Sequence, residues 1–328
     1  MDGALLRVHE LDIFFDQGAH TVQALHGASF SIAAGEIVGL VGESGSGKTI
    51  TSLALMGLLD PRVSRIQGSA MLDGEPLWDS QGRVKPHNEV PMAMVFQEPM
   101  TALDPVFTIG YQLSETLRHR QGLRGAPARA RALELLDQVG IPDPRVRMRF
   151  YPHELSGGMR QRVVIALALA CAPRLLIADE PTTAVDVTIQ AQLLELITGL
   201  ADEHDMGVLF VTHDLGVVAE TCDRMITMYA GRVVESGPVQ QVLARPAHPY
   251  TSGLLSALPS TNRRQDRLIT IPGRVPPPGR EVPGCVFAER CAFAAEVCRT
   301  PPALLPVGER RQARCVRTAE LHLEGAFG

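Results

Sequence analysis

The octet Gly42-Glu43-Ser44-Gly45-Ser46-Gly47-Lys48-Thr49 constrains this chain more than any other feature. It has the form G-x-x-x-x-G-K-[ST]. An apolar run, Glu36 to Val41, leads into it, and an apolar stretch from Lys48 to Leu59 comes after it, stopped at Asp60-Pro61. That order predicts a buried strand, a glycine-rich turn and a buried helix. Such a turn aims backbone N–H groups and a helix N-terminus at one point, which suits a phosphate. Lys48 is expected to reach the β- and γ-phosphates of ATP, and the Thr49 hydroxyl to ligate Mg²⁺.

Two further strands are read at Leu175 to Ala178 and Val208 to Val211, with a helix over Val187 to His204 between them. In that helix Ile189, Leu193, Leu196, Ile197 and Leu200 fall on one face. The alternation predicts an α/β class with a mainly parallel sheet. The stretch from about 98 to 163 has helical periodicity, as in Ala128 to Val139, and reads as a helical subdomain inserted in the core. Asp179 and Glu180 end the second strand, where Asp179 is expected to hold Mg²⁺ through water and Glu180 to polarise an attacking water. The 328 residues suggest two or three structural units, and a net charge of −5 gives no overall pull toward nucleic acid. No apolar run approaches the ~20 residues that span a bilayer, and no leader pattern opens the chain. The chain is therefore expected to stay in the cytoplasm, with any membrane contact peripheral or through a partner.

At Leu155-Ser156-Gly157-Gly158-Met159-Arg160-Gln161-Arg162 the sequence resembles the ABC transporter ATPases, whose signature lies just upstream of the strand bearing Asp179 and Glu180. Met159 stands where Gln is usual, a variant similar to that of peptide importers. The resemblance implies that Leu155, Ser156, Gly157, Gly158 and Met159 act on ATP held by a partner cassette, so this chain completes no site alone. It also implies a Q-loop at Gln97, sensing Mg²⁺ and water and hinging the helical insertion, and a switch histidine at His213. A D-loop is implied at Ala184-Val185-Asp186. Phe15 is implied as the ring that stacks on adenine, with Phe14 the competing candidate. Catalysis would then rest on Glu180, His213 and Lys48, and Mg²⁺ on Thr49, Gln97 and Asp179.

Residues 1–244 read as this nucleotide-binding domain, for which the resemblance also implies an antiparallel β region, and 245–328 as a small extension. Arg245-Pro246-Ala247-His248-Pro249-Tyr250-Thr251, then Pro272-Gly273 and Pro276-Pro277-Pro278, resemble the segment that comes after the cassette in dipeptide and oligopeptide permease ATPases, most closely the D-type subunit. Cys285, Cys291, Cys298 and Cys315 are spaced C-x5-C-x6-C-x16-C, wider than the C-x2–4-C pairs of structural zinc. Four thiolates suit [4Fe–4S], which the resemblance also implies, while zinc and free thiols remain alternatives. Arg290, Arg299, Arg310, Arg311 and Arg314 lie among these cysteines in sequence and are candidates to offset thiolate charge, or simply a solvated basic face. Cys171 and Cys222 read as small core residues.

The expected function is therefore ATP hydrolysis driving uptake of di- or oligopeptides from the cytoplasmic face of the plasma membrane. Nickel or another small solute is the alternative cargo, and a non-transport ABC ATPase the remote one. The implied partners are a second, non-identical F-type ATPase, two transmembrane permease subunits and an extracytoplasmic peptide-binding protein, without nucleic acid.

Overall fold

The structure is a computed structural model and describes residues 3–18, 20–79, 81–85, 90–96, 102–182, 186–257, 271–280 and 282–326. The chain opens with β1 (Ala4–Gln17), β2 (His20–Ala33), β3 (Ile37–Val41), α1 (Lys48–Leu55), β4 (Ser64–Leu72), β5 (Glu75–Pro76) and β6 (Met92–Val95). The helical insertion carries α2 (Ile109–Gln121), α3 (Gly125–Gln138), α4 (Pro144–Arg147) and α5 (Gly157–Leu169). Then come β7 (Leu175–Asp179), α6 (Val187–Glu203), β8 (Gly207–Thr212), α7 (Leu215–Thr221), β9 (Arg224–Tyr229) and β10 (Arg232–Pro238). The chain ends with α8 (Val239–Ala244), α9 (Pro249–Ser256), β11 (Leu305–Gly308) and β12 (Arg311–Ala313).

Among the described residues the strands form two sheets. One is antiparallel, in the order β2-β1-β4-β5; the other runs β11-β12-β10-β9-β3-β8-β7-β6. In the larger sheet β9, β3, β8, β7 and β6 are parallel, and β10, β12 and β11 add antiparallel at one edge.

The parallel strands are apolar at nearly every position because both faces are covered. Leu175, Ile177, Leu209 and Val211 pack against Leu11, Ile13 and Leu25 of the antiparallel sheet. The alternate residues Leu176, Ala178, Val208 and Phe210 pack against Leu113, Leu135, Val163 and Leu193 of the helices. Each such buried branched side chain contributes about 1.5–3 kcal/mol. Period-two alternation thus ties one strand to two cores.

One sequence expectation shifts. The helix after the phosphate loop ends at Leu55 rather than Leu59. Gly57 takes φ +64°, and the Leu58 N–H donates to the Leu53 carbonyl at 2.8 Å, closing a Schellman turn that halts the helix before Asp60-Pro61. The extension is also joined to the main sheet: β12 pairs with β10, setting Ala313 opposite Glu235. Glu235 is fully buried and accepts from the N–H groups of Ala247 and His248 at 2.8 and 3.0 Å and from Arg311 at 3.0 Å. A buried carboxylate needs these donors, which anchor the start and the end of the extension to one strand.

Candidate functional site

Register places the site. Val41 of β3 lies opposite Thr212 of β8, and Val211 opposite Asp179 of β7, so three parallel strands end at one level. Gly42, Glu180 and His213 come directly after those ends. The carboxyl end of a parallel sheet is where α/β folds bind ligands.

Gly42 has φ +153°, and a Cβ there would run into the Met228 carbonyl, so only glycine lets the loop start this close to β9. Gly47 caps α1 at φ +106°. Lys48 is buried and folds back over the loop, donating to the carbonyls of Gly42 at 2.6 Å and Glu43 at 3.1 Å. Burial pushes its ammonium pKa down, opposed by the carboxylates of Glu180, Asp179 and Glu43. Asp179 is buried, hydrogen-bonds the Thr49 hydroxyl, and has its pKa raised by burial and by Glu180. A divalent cation beside Thr49 and Asp179 would relieve both penalties.

Glu180 sits at φ +47°, uncommon for a residue with a side chain, and its N–H donates to the Val211 carbonyl at 2.8 Å. That turn lifts its carboxylate off the strand to 2.8 Å from His213 Nδ1. One cavity holds Glu43 to Ile50, Glu180 and His213 together with extension residues around Arg274.

The signature lies elsewhere. Ser156 caps α5, its hydroxyl accepting from the Met159 N–H at 3.4 Å. Ser156 to Met159 line a groove with Asp186, which caps α6 through the Ile189 N–H at 3.0 Å. Leu155 is buried in the core instead. The groove and the phosphate-loop cavity share no lining residue, so the structure does not bring the signature to this chain's own loop. Gln97, Ala184 and Val185 lie outside the described residues. Phe15, expected against adenine, packs on the apolar cluster of the antiparallel sheet. Its neighbour Phe14 faces the opposite way along β1, lines a cavity beside Gly45, and carries the Arg65 guanidinium 5.5 Å from its ring centre.

Three residues named in the sequence take roles the sequence reading did not give them. Gln161, buried in α5, donates to the Pro181 carbonyl at 2.7 Å, fixing the turn after Glu180. The Tyr250 hydroxyl accepts from the Glu43 N–H at 2.8 Å. Arg290 grips the Glu43 carboxylate at 2.7 and 3.0 Å. Tyr250 is buried against Tyr229 and Phe287, with ring centres 4.7 and 5.4 Å away. The only available signal was that a histidine, a tyrosine and arginines recur in a polar, proline-rich tail.

Cys285, Cys291, Cys298 and Cys315 line one apolar cavity. Burial raises the thiol pKa of Cys285, Cys291 and Cys315, that of Cys291 to about 11. Among the described residues, however, no three His, Cys, Asp or Glu side chains are placed to hold a metal ion. The cysteines are gathered, not converged. The arginines expected to serve the thiols mostly do not: Arg290 pairs with Glu43, Arg310 with Glu36, Arg311 with Glu235 and Arg299 with Glu296. Arg314 donates to the carbonyls of Val233 and Pro302. Arg317 is the arginine on the cavity, its backbone N–H donating to Cys315 Sγ at 3.4 Å. Burial requires such partners of Arg290 and Arg311, whereas the pairs of Arg299 and Arg310 lie at the surface.

Residues 25–183 match the ABC transporter family, and 234–298 match the oligopeptide/dipeptide transporter C-terminal region. The chain is 49% identical over 312 residues to a protein of Brucella abortus named as a putative peptide import ATP-binding protein, covering 95% of this chain and 94% of that one. A second protein of that name and organism is 48% identical over 334 residues, covering 97% and 98%. Among solved structures, a dimeric post-hydrolysis ATP-binding cassette with ADP and Pi aligns at TM-score 0.60 and 28% identity, over 71% of this chain and 98% of that one. The cbiO1 protein of Clostridium perfringens, part of the transporter complex cbiONQ, aligns at TM-score 0.62 and 27% identity, over 74% and 91%.

Proposed function

This chain belongs to the ABC transporter ATP-binding proteins of the oligopeptide/dipeptide type, and we propose that it energises uptake of di- and oligopeptides as one of two cassettes in an importer. The observation that carries the chemistry is the gathering of Lys48, Thr49–Asp179 and Glu180–His213 at the ends of three adjacent parallel strands. Lys48 and the loop N–H groups hold the phosphates, Thr49 and Asp179 hold Mg²⁺, Glu180 orients water, and His213 steadies Glu180 and the γ-phosphate. Gln97 completes the metal shell in this reading. The adenine would lie on the β1 side of the loop, with two candidate rings: Phe15, which packs on the core, and Phe14, which lines a separate cavity beside Gly45.

The separation of signature and phosphate loop supports a second cassette, and the likeness to peptide import ATP-binding proteins supports the rest of the assembly. A second cassette, two membrane permeases and an extracytoplasmic peptide-binding protein complete the importer. No described helix is long and apolar enough to cross a membrane, and in this reading the chain acts from the cytoplasmic face through the permeases. We include in the proposal a [4Fe–4S] cluster that Cys285, Cys291, Cys298 and Cys315 would hold. The support is that four cysteines, all at least half-shielded, line one apolar cavity, and four thiolates are the usual ligand set of such a cluster. It would cross-link the loops of the extension.

Transport assays test the cargo. The chain is reconstituted with the permease pair and binding protein of its own genomic neighbourhood. Peptide-stimulated ATP hydrolysis with accumulation of labelled peptide is expected. Stimulation by Ni²⁺ and not by peptides would replace the peptide reading.

A further inference from the structure

We infer that Arg274, from the C-terminal extension, is a phosphate ligand of the nucleotide bound in this chain's own loop. The inference rests on reading the phosphate-loop cavity as the ATP site.

Gly273, Arg274, Val275 and Pro278 line the same cavity as Lys48, Glu180 and His213. This wall is held in place. Arg290 donates through Nε to the Pro272 carbonyl at 2.8 Å and through Nη2 to the Ile271 carbonyl at 3.3 Å. The same guanidinium makes the two-point pair with Glu43. One buried side chain therefore staples residues 271–272 to the second position of the phosphate loop. Gly273 turns at φ +79°, directing the chain along the cavity, and Pro276-Pro277-Pro278 stiffen the far end of the wall.

The charges favour an anion at this point. Arg274 is exposed and makes no ion pair or hydrogen bond among the described residues. Elsewhere in the extension Arg280, Arg310, Arg311 and Arg317 each have a carboxylate partner. The one carboxylate of the loop itself, Glu43, is already bound by Arg290 and does not compete for Arg274. A nucleoside di- or triphosphate supplies the missing acceptors, and guanidinium matches phosphate in geometry as well as charge. The extension thereby becomes part of the ATP site.

The test is calorimetric titration of the full chain with the magnesium complex of a non-hydrolysable ATP analogue. R274A is expected to weaken binding roughly tenfold, as loss of a charge-assisted hydrogen bond does. R274K should recover part of it, and R299A, which removes an exposed charge of the same extension, should change nothing. Melting temperatures of all three should match wild type. Equal affinity in R274A and wild type overturns the inference alone. So does a loss in R274A that comes with a lowered melting temperature and no recovery in R274K. Absence of nucleotide binding by wild type overturns the ATP-site reading, and this inference with it.

Discussion

His213 Nδ1 lies 2.8 Å from Glu180 Oε1, a contact between residues that end neighbouring strands β8 and β7. Glu180 is mostly shielded, with 17% of its side chain exposed, whereas His213 is 63% exposed. The carboxylate is thus held by the protein, and the imidazole faces the cavity where a γ-phosphate would sit.

Replacing Glu180 with Gln keeps the shape of this contact and removes the base. Turnover should fall by roughly 10²–10⁴-fold while MgATP still binds. Single-turnover hydrolysis beside equilibrium binding separates the two effects. Normal turnover in the variant would remove Glu180 from the chemistry.

Ser156 lines a groove that shares no residue with the phosphate-loop cavity. Ser156→Arg should therefore leave MgATP affinity of the isolated chain unchanged and lower turnover of the assembled pair at least about tenfold. Titration of the isolated chain is decisive. Reduced affinity there would mean that the signature acts on its own chain's nucleotide.

His248 is fully buried, accepts from the Tyr250 N–H at 3.1 Å, and has its pKa lowered to about 3 by burial. Its unfolded value is near 6.5. Above pH 6.5 both states hold it neutral. Below, the unfolded chain takes up a proton that the folded one refuses, so stability falls as pH drops from 6.5 toward 3. This residue alone supplies a slope of at most about 1.4 kcal/mol per pH unit. Glu235, whose pKa burial raises, works in the opposite sense. The measurement is therefore a comparison: denaturant unfolding of His248→Asn across that range should show a shallower decline than wild type. Parallel curves would count against a neutral buried imidazole.

Anaerobic purification should give a brown protein with about four irons and four sulfides per chain. Cys291→Ser should lose both. Colourless, iron-free wild type that remains folded would exclude the cluster. In that case the thiols, Cys291 with a pKa of about 11 among them, should alkylate slowly at neutral pH.

The local parts of the site were legible in the residues. Strand, glycine turn and helix are contiguous, and contiguous residues decide backbone sterics and capping. Gly42, Gly47, Lys48 and Ser156 stand where the pattern placed them. The end of α1 was misplaced at Asp60-Pro61, because the turn is made at Gly57.

By itself the sequence determined the phosphate loop, the carboxylate pair, the signature helix and the family they belong to. Tertiary structure alone decided what the tail does. Arg290 meets Glu43 across 247 positions, β12 joins β10, and Arg274 lines the phosphate-loop cavity. Such pairings leave no periodic trace, because a hydrogen bond between distant residues depends on where the chain returns in space. Packing also decided that Phe15 joins the core while Phe14 lines a separate cavity beside Gly45, since the pleat turns them to opposite sides of β1.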